Sequence, residues 1–224
     1  MTPVLIYILP TAKHGQKHFH YGCRFVRTFK ENPPDYDYRL YVVSNGGPPS
    51  GKAVVQFSWL RGRFIEHDDS GMDIGAYQLV ARSIASEMMV FFGGSSYFRK
   101  PGWLKRMVEV FNQERGDLYG CTGNQGVGNI FPHIRTTGFW CDPKLLSEHP
   151  MRVTQNSQRY PYEHGPHGLT SWMLATGRDA WVVGWDTARP LHDCNSLPGG
   201  LHNGTQHNLI VGDRLTEPPY YHAP

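Results

Sequence analysis

Apolar and polar positions alternate along the chain in a way that predicts strands and helices in turn. Apolar or β-branched runs, typical of buried parallel strands, occur at Pro3–Leu9, Arg39–Ser44 and Met88–Phe92. Between the first two, residues 16–30 carry apolar side chains at helical spacing and end at Asn32-Pro33-Pro34. This order predicts a βαβ unit, whose right-handed crossover makes its strands parallel.

The stretch from Phe64 to Trp103 organises the rest of the chain. It begins with a short predicted strand that ends at the turn Asp68-Asp69-Ser70-Gly71. Asp73 is expected to cap a helix that begins near Gly75 and presents an apolar face to a sheet.

The strand Met88–Phe92 ends abruptly at the polar turn Gly93-Gly94-Ser95-Ser96. Open α/β sheets bind their ligands at the carboxyl ends of their strands. We therefore expect an active cleft between this turn and the Asp68–Asp73 turn, with the two turns ending adjacent strands.

Segment Ala53–Trp59 fits two kinds of element. Its β-branched and aromatic residues favour a strand, whereas its place between two parallel strands suits a helix. We favour the strand. The remaining predicted elements are a helix between Pro101 and Gly116, a helix at Leu169–Ala175, and strands at Asp117–Thr122, Ile134–Cys141 and Ala180–Trp185.

Composition places the chain among folded proteins of one domain. It has 224 residues, 39% of them hydrophobic, and a net charge of +3. It lacks a signal-peptide pattern at its start and any apolar run near the roughly 20 residues of a membrane span. The cysteines, at positions 23, 121, 141 and 194, form no CxxC pair. These features predict a cytoplasmic protein with reduced thiols.

Five motifs in order resemble the GT-A-type glycosyltransferases of the inverting family 2 kind. They are PVLIYILPT, YVVSNGG, HDDSGMDIGAY, MMVFFGGSSYF and YEHGPHGLTSWMLATG. The similarity is greatest to the branch that includes rhamnan-synthesis proteins, and it spans most of residues 3–192. The order of the motifs carries the resemblance, since none is diagnostic alone.

The resemblance implies a GT-A-like, Rossmann-like α/β fold. Its mostly parallel sheet would have helices on both faces and an irregular C-terminal tail. Residues 1–224 would form one catalytic domain, with a nucleotide-sugar-binding half (about 1–100), an acceptor half (about 101–192) and the tail (193–224). Such enzymes transfer a sugar from a nucleotide-diphosphate donor, here expected to be a UDP-sugar, to a hydroxyl acceptor with inversion.

The same resemblance implies which residues contact the donor. Asp69 and Asp73 would contact its nucleoside or sugar, although one can be a turn residue and the other a helix cap. Thr11 and Asn45 follow the first two strands and can equally close turns. Gly93, Gly94 and Ser95 would let the backbone approach the diphosphate, although a tight turn also explains the glycines.

The chain departs from the family at its metal site. GT-A enzymes usually carry Asp-x-Asp after the buried strand, where two carboxylates hold a divalent cation such as Mn²⁺ or Mg²⁺ against the diphosphate. Here that place has no carboxylate. Either Asp68, Asp69, Asp73 or His192 holds the metal, or backbone amides and cations such as Arg99 and Lys100 stabilise the diphosphate. His192 has about the position of the family's C-terminal metal-binding histidine.

Glu163 is the predicted catalytic base. The resemblance implies a carboxylate just before the helix that faces the acceptor, and Glu163 precedes the predicted helix Leu169–Ala175. Alternatively, Glu163 only interacts with the dipole of that helix.

Two other functions remain open from the sequence. The first is a non-catalytic module that binds nucleotides or carbohydrates. The second, ranked last because no HExxH is present, is a His-rich metal-dependent hydrolase. The acceptor of a transferase would be a glycan, or a hydroxylated base in nucleic acid, which the pI of about 8.6 allows.

Overall fold

The computed structural model describes residues 1–11, 15–113, 116–126, 129–196 and 206–217. The strands are β1 (Val4–Pro10), β2 (Arg39–Asn45), β3 (Arg63–His67), β4 (Met89–Phe92), β5 (Tyr97–Phe98), β6 (Leu118–Gly120), β7 (Gly123–Asn124), β8 (His133–Ile134), β9 (Phe139–Cys141), β10 (Ala180–Val183), β11 (Ala188–Pro190) and β12 (Val211–Gly212). The α-helices are α1 (Gly15–Glu31), α2 (Gly51–Ser58), α3 (Met72–Ser83), α4 (Trp103–Gln113), α5 (Lys144–Glu148), α6 (Arg159–His164) and α7 (Leu169–Ala175).

Eight strands form one mixed sheet in the order β11-β10-β6-β9-β4-β1-β2-β3. The pairs β1–β2, β2–β3, β1–β4 and β6–β10 are parallel, while β9 runs antiparallel to both β4 and β6. This confirms the predicted mostly parallel α/β sheet. Both halves of the chain supply strands to this sheet, so the sheet does not separate a donor half from an acceptor half. That division stays a prediction.

The sheet is buried on both faces. In β1, Val4, Ile6 and Ile8 enter one core cluster, and the alternate residues enter the other. Helices α3, α5 and α7 cover the first face, and α1, α2 and α4 cover the second. This two-sided burial explains the continuous apolar runs in β1 and β4.

The prediction of a strand at Ala53–Trp59 is wrong, because the segment forms helix α2. The Ser50 side chain accepts a hydrogen bond from the Ala53 N–H and so caps the helix. Ala53 and Phe57, one turn apart, are buried, whereas Val55 is 63% exposed. Burial thus follows the helical period, and the β-branched residues lie mainly on the exposed side.

Helix α3 begins at Met72, earlier than predicted, and Asp73 is not its cap. Gly71 occupies the cap position with φ 71° and forms no side-chain cap bond. A Cβ atom at Gly71 would lie 2.0 Å from the Val153 carbonyl oxygen, so only glycine fits. Asp73 is left in the first turn with its carboxylate available to another partner.

Two further predictions need correction. The predicted strand Ile134–Cys141 is interrupted, because β8 pairs with β7 while β9 pairs with β4 and β6. The predicted irregular tail contributes a strand, since β12 pairs with β5. The part of the tail at 197–205 and 218–224 lies outside the described residues.

Within the described ranges, no helix combines the length and apolar character that crossing a bilayer requires. Cys121 and Cys141 are buried free thiols and Cys23 is a partly exposed one. The side chain of Cys194 lies outside the part that is described.

Candidate active site

A cleft of about 890 Å³ opens at the carboxyl ends of β1, β2 and β4. The turns after β3 and β4 both reach it, although β1 and β2 separate these two strands. The expectation that the turns end adjacent strands is therefore wrong. The lining residues of interest are Asn45, Asp69, Asp73, Gly93, Gly94, Ser95, His133, Arg135, Thr136, Arg159, Glu163, His164, Asp213 and Arg214.

Glu163 presents a fixed carboxylate to this cleft. Its Oε1 atom accepts hydrogen bonds from the Thr136 N–H at 2.8 Å and from the Thr136 hydroxyl at 2.9 Å. Its Oε2 atom lies 3.4 Å from His164 Nε2. Glu163 lies within α6, not in a loop as predicted from the sequence. Anchoring one oxygen leaves the other available to a ligand.

Two histidines stand beside this carboxylate. The His133 and His164 rings lie edge to face with centroids 4.2 Å apart. His133 Nδ1 is 2.8 Å from the Phe131 carbonyl oxygen, to which it can donate a hydrogen bond. Burial lowers the pKa of His133, and nearby His164 acts in the same direction. Neutral imidazole is therefore the favoured form of His133.

Asp73 is neutralised within the cleft wall. Arg159 donates from Nε to Asp73 Oδ1 at 2.8 Å and from Nη2 to Oδ2 at 3.3 Å. Burial raises the pKa of Asp73, and the Arg159 guanidinium opposes this effect. This two-bonded pair uses both carboxylate oxygens of Asp73.

Asn45 and Asp69 form a second polar group at the ends of β2 and β3. The Asn45 Nδ2 atom donates to Asp69 Oδ1 at 2.6 Å, and Asn45 Oδ1 lies 2.6 Å from His67 Nδ1. Asp69 has φ 69°, a conformation that aspartate adopts more readily than most residues. Asn45 and Asp69, both predicted to contact the nucleotide-sugar donor, thus meet at the edge of the cleft.

The Gly93–Ser95 turn brings bare backbone to the cleft. A Cβ atom at Gly93 would lie 3.2 Å from the Thr137 hydroxyl oxygen, which belongs to a movable side chain. At Gly94 it would lie 3.1 Å from Pro10 Cδ and 3.3 Å from the Ile8 carbonyl oxygen. Gly94 is therefore also needed for packing against β1, whereas Gly93 faces fewer constraints.

The cleft does not offer, at the Gly93–Ser95 turn, the pair of carboxylates that the resemblance implies for a divalent cation. The turn itself has no carboxylate, and both oxygens of Asp73 are bonded to Arg159. Asp69 is left as a single carboxylate, whose Oδ1 accepts from Asn45 Nδ2.

The C-terminal segment 206–217 closes one side of the cleft. Arg135 Nη2 donates to Asp213 Oδ2 at 3.0 Å in a buried ion pair. Arg24 pairs with Glu217 at 2.8 Å and also donates to the Ser95 carbonyl oxygen. The exposed Arg214 donates its backbone N–H to Ser95 Oγ at 3.4 Å. The Arg24 guanidinium thus lies beside the glycine turn, and the Arg214 backbone contacts the same turn.

Several predicted residues lie elsewhere. Thr11 is not among the lining residues, and its hydroxyl donates to the Gly47 carbonyl oxygen. His192 is also outside the lining, with a side chain that is 80% exposed. Arg99 donates to the Gln206 carbonyl oxygen, and Lys100 lies over the Trp185 ring. Asp68 is exposed beside His67. These positions do not support the proposed cation roles of Arg99 and Lys100.

The cleft residues that the sequence analysis did not identify come from distant segments. They are His133, Arg135, Thr136, Arg159, His164, Asp213 and Arg214. One signal was present in the sequence, because the polar run Arg135–Thr137 and Gly138 interrupt an otherwise apolar strand pattern. No comparable signal marks Asp213 and Arg214.

Comparison with solved structures identifies the fold. The galactosyltransferase LgtC, in complex with donor and acceptor sugar analogs, matches with a TM-score of 0.50 and 13% identity over 70% of this chain. The chain spans 63% of the length of LgtC. This likeness shows a GT-A glycosyltransferase fold for the chain.

Two weaker structural matches are also glycosyltransferases. Mouse xyloside xylosyltransferase 1 matches with a TM-score of 0.49 and 10% identity, covering 80% of this chain and 82% of that one. The Pyrobaculum calidifontis mannosyltransferase, in complex with GDP-Man and Mn²⁺, has a TM-score of 0.46, 14% identity, and coverages of 65% and 46%. No family model matches the sequence, and no curated protein matches it.

Proposed function

We propose that the chain is a glycosyltransferase that moves a sugar from a nucleotide-diphosphate donor to a hydroxyl acceptor. The observation that carries the proposal is the Glu163 carboxylate, which Thr136 fixes by one oxygen inside the cleft. A positioned carboxylate is the group that sugar transfer with inversion requires as a general base. The GT-A fold supports the same class of reaction.

In the proposed reaction, Glu163 Oε2 takes the proton of the acceptor hydroxyl. The acceptor oxygen then forms a bond to the anomeric carbon of the donor sugar while the bond from that carbon to the diphosphate breaks. Attack from the face opposite the diphosphate inverts the anomeric configuration. The nucleoside diphosphate leaves with the electron pair of the broken bond.

The Gly93–Ser95 turn and Arg214 are the proposed holders of the diphosphate. Glycine allows close backbone approach, and a guanidinium can stabilise negative charge that develops on the leaving group. Asn45 and Asp69 at the edge of the cleft are the proposed contacts of the nucleoside. We propose UDP as the nucleotide and a glycan as the acceptor. The rhamnan-synthesis branch stays a prediction.

The test is release of nucleoside diphosphate from a panel of UDP-, GDP- and dTDP-sugars by the purified chain, with and without glycan acceptors. Glu163→Gln is the matched variant, because it preserves the shape of the side chain. Release by wild type that is lost in the variant supports the proposal. Donor binding without release by wild type would instead support a non-catalytic binding module.

A further inference from the structure

His133, Glu163 and His164 bring two imidazoles and a carboxylate to one point on the cleft wall. One ligand-capable atom from each residue lies within 4.8 Å of the other two. All three residues line the cleft. We propose that this cluster binds one divalent transition-metal ion of the Zn²⁺ class, with a fourth coordination position open to the cleft. Three protein ligands and one open position are typical of reactive rather than structural zinc sites.

The hydrogen bonds around the cluster suit metal binding. His133 Nδ1 lies 2.8 Å from the Phe131 carbonyl oxygen, so a proton on Nδ1 leaves the lone pair of Nε2 for a metal. Metal-binding histidines commonly donate their second ring N–H to a backbone carbonyl in this way. Thr136 holds Glu163 Oε1 and leaves Oε2 as the corresponding carboxylate ligand.

The spacing of the ligand atoms is also suitable. Glu163 Oε2 and His164 Nε2 are 3.4 Å apart. Two ligands of a tetrahedral Zn²⁺ ion are separated by about 3.3–3.5 Å when each bond is about 2.0–2.1 Å long. The pair can therefore bind one ion with little movement.

The ligand types select the class of ion. Two imidazole nitrogens and one carboxylate suit Zn²⁺ and Co²⁺, whereas Mg²⁺ prefers oxygen ligands and water. This cluster shares no residue with the Gly93–Ser95 turn, where the family carries its Asp-x-Asp carboxylates. The proposed site is thus separate from that turn, and its imidazole ligands differ from a pair of carboxylates.

A second consequence rests on the proposed function. An ion bound to Glu163 Oε2 would occupy the oxygen that accepts the proton of the acceptor hydroxyl. Excess Zn²⁺ should then inhibit sugar transfer, and chelation should restore it. Metal binding itself does not depend on whether the chain transfers sugar.

The experiment measures metal binding by the full chain after treatment with EDTA and removal of the chelator. Calorimetric titration with Zn²⁺ should give one ion per chain, and Co²⁺ should give the visible absorption of tetrahedral coordination. Removal of a residue that only hydrogen-bonds to a metal ligand weakens metal binding about 10- to 100-fold. Removal of a ligand itself, in His164→Ala, should therefore weaken binding at least about tenfold. The matched control His192→Ala, which removes an exposed histidine outside the cleft, should bind Zn²⁺ as wild type does.

Three outcomes would overturn the inference: no stoichiometric Zn²⁺ binding, binding that His164→Ala leaves unchanged, or binding lost in His192→Ala. Thermal melts of both variants check that each is folded, and His164→Gln serves as a second variant if His164→Ala is not. Zinc binding without transferase activity would leave this inference intact and remove the proposed function. Transferase activity without zinc binding would overturn this inference and leave the proposed function intact.

Discussion

Two walls of the cleft use polar side chains in opposite ways. The strand-end wall consists of Asn45, Asp69, Asp73 and the Gly93–Ser95 turn, and the histidine wall consists of His133, Thr136, Glu163 and His164. In the strand-end wall, both oxygens of Asp73 are bonded to Arg159. In the histidine wall, Glu163 accepts hydrogen bonds from Thr136 through Oε1 alone, and its Oε2 lies 3.4 Å from His164 Nε2.

This difference distinguishes a carboxylate that is fully bonded within the protein from one that can still bind a ligand. A carboxylate whose two oxygens are bonded to a guanidinium is already compensated, so it has little left to offer a ligand. The strand-end wall therefore presents backbone groups, the Asn45 amide and the Asp69 carboxylate at its edge, whereas the histidine wall presents a carboxylate oxygen beside two imidazoles. On this comparison, proton transfer belongs to the histidine wall and donor binding to the strand-end wall.

The largest expected effect comes from exchanging a carboxylate for an amide on each wall. Glu163→Gln should lower kcat about 10²- to 10⁴-fold with donor binding retained, since a positioned base contributes that much. Asp73→Asn should lower kcat far less, because Arg159 already neutralises Asp73 and both carboxylate oxygens are engaged. Steady-state kinetics and a thermal melt of both variants provide the measurement. Equal losses of kcat would end the distinction between the walls.

A bulky residue at Gly93 tests the strand-end wall alone. Gly93→Val should weaken binding of the nucleoside diphosphate at least about tenfold, or about 1.4 kcal/mol, because its side chain would fill the backbone cradle. Calorimetry measures the affinity, and the melting temperature serves as the control for folding. Gly94 is less suitable because it packs against β1. Unchanged affinity in folded Gly93→Val would remove this turn from the donor site.

A smaller effect is expected from the residue that anchors Glu163. Thr136→Val removes the hydroxyl donor but not the backbone donor, and a hydrogen bond to a charged group contributes about 1.5–3 kcal/mol. Loss of this bond should lower kcat about tenfold or somewhat more, with little change in donor affinity. Thr136→Ser retains the hydroxyl and should recover most of the activity. If Thr136→Ser is as slow as Thr136→Val, the hydroxyl does not position Glu163.

The smallest effect concerns His149, which packs against Tyr162, the residue before Glu163. Its ring contacts Tyr162 and Trp172 at centroid distances of 4.8 and 4.9 Å. Burial lowers the pKa of His149 and the Arg152 charge adds to this effect, while hydrogen bonding of the ring to the backbone of Met151, Gly168 and His167 opposes it. The unfolded chain therefore binds this proton more readily than the folded one.

The contribution of His149 to the stability of the fold is therefore complete above the unfolded pKa of about 6.5, and it decreases as the pH falls below that value. His149→Phe keeps a ring in the same place but cannot bind a proton. Its melting temperature should fall less than that of wild type between pH 7.5 and 5.5. Parallel curves for the two proteins would exclude His149 as a source of the pH dependence.

The strands and helices could be predicted from the sequence because each is determined by residues close together in the chain. The apolar runs of β1, β2 and β4, the helical spacing in α1 and the residues of α7 lie within single segments, and each element was predicted at about its observed place. Segment α2 was misassigned because β-branched residues on an exposed helix face resemble a strand. Its capping residue, Ser50, was the better signal.

The cleft was predicted only in part because it is assembled over long separations in sequence. Asn45 and the glycine turn line the cleft as expected, because strand ends meet at one edge of a sheet. Asp69 and Asp73, which the resemblance implied as donor contacts, also line it. The approach of His133 to residue 164, or of Arg135 to Asp213, depends on how β8 and the C-terminal segment pack. Neither contact leaves a periodic pattern in the sequence.

The C-terminal segment has a consequence for the order in which the molecule is made. Arg24 pairs with Glu217 across 193 residues, and Arg135 pairs with Asp213 across 78. During synthesis, β1 to β4 and their helices leave the ribosome long before these partners exist. Strands β1 to β4 can pair early, but the sheet is complete only once β10 and β11 are made, and the cleft gains its last side only when residue 217 has emerged. A chain that stops before residue 206 lacks the segment that closes one side of the cleft.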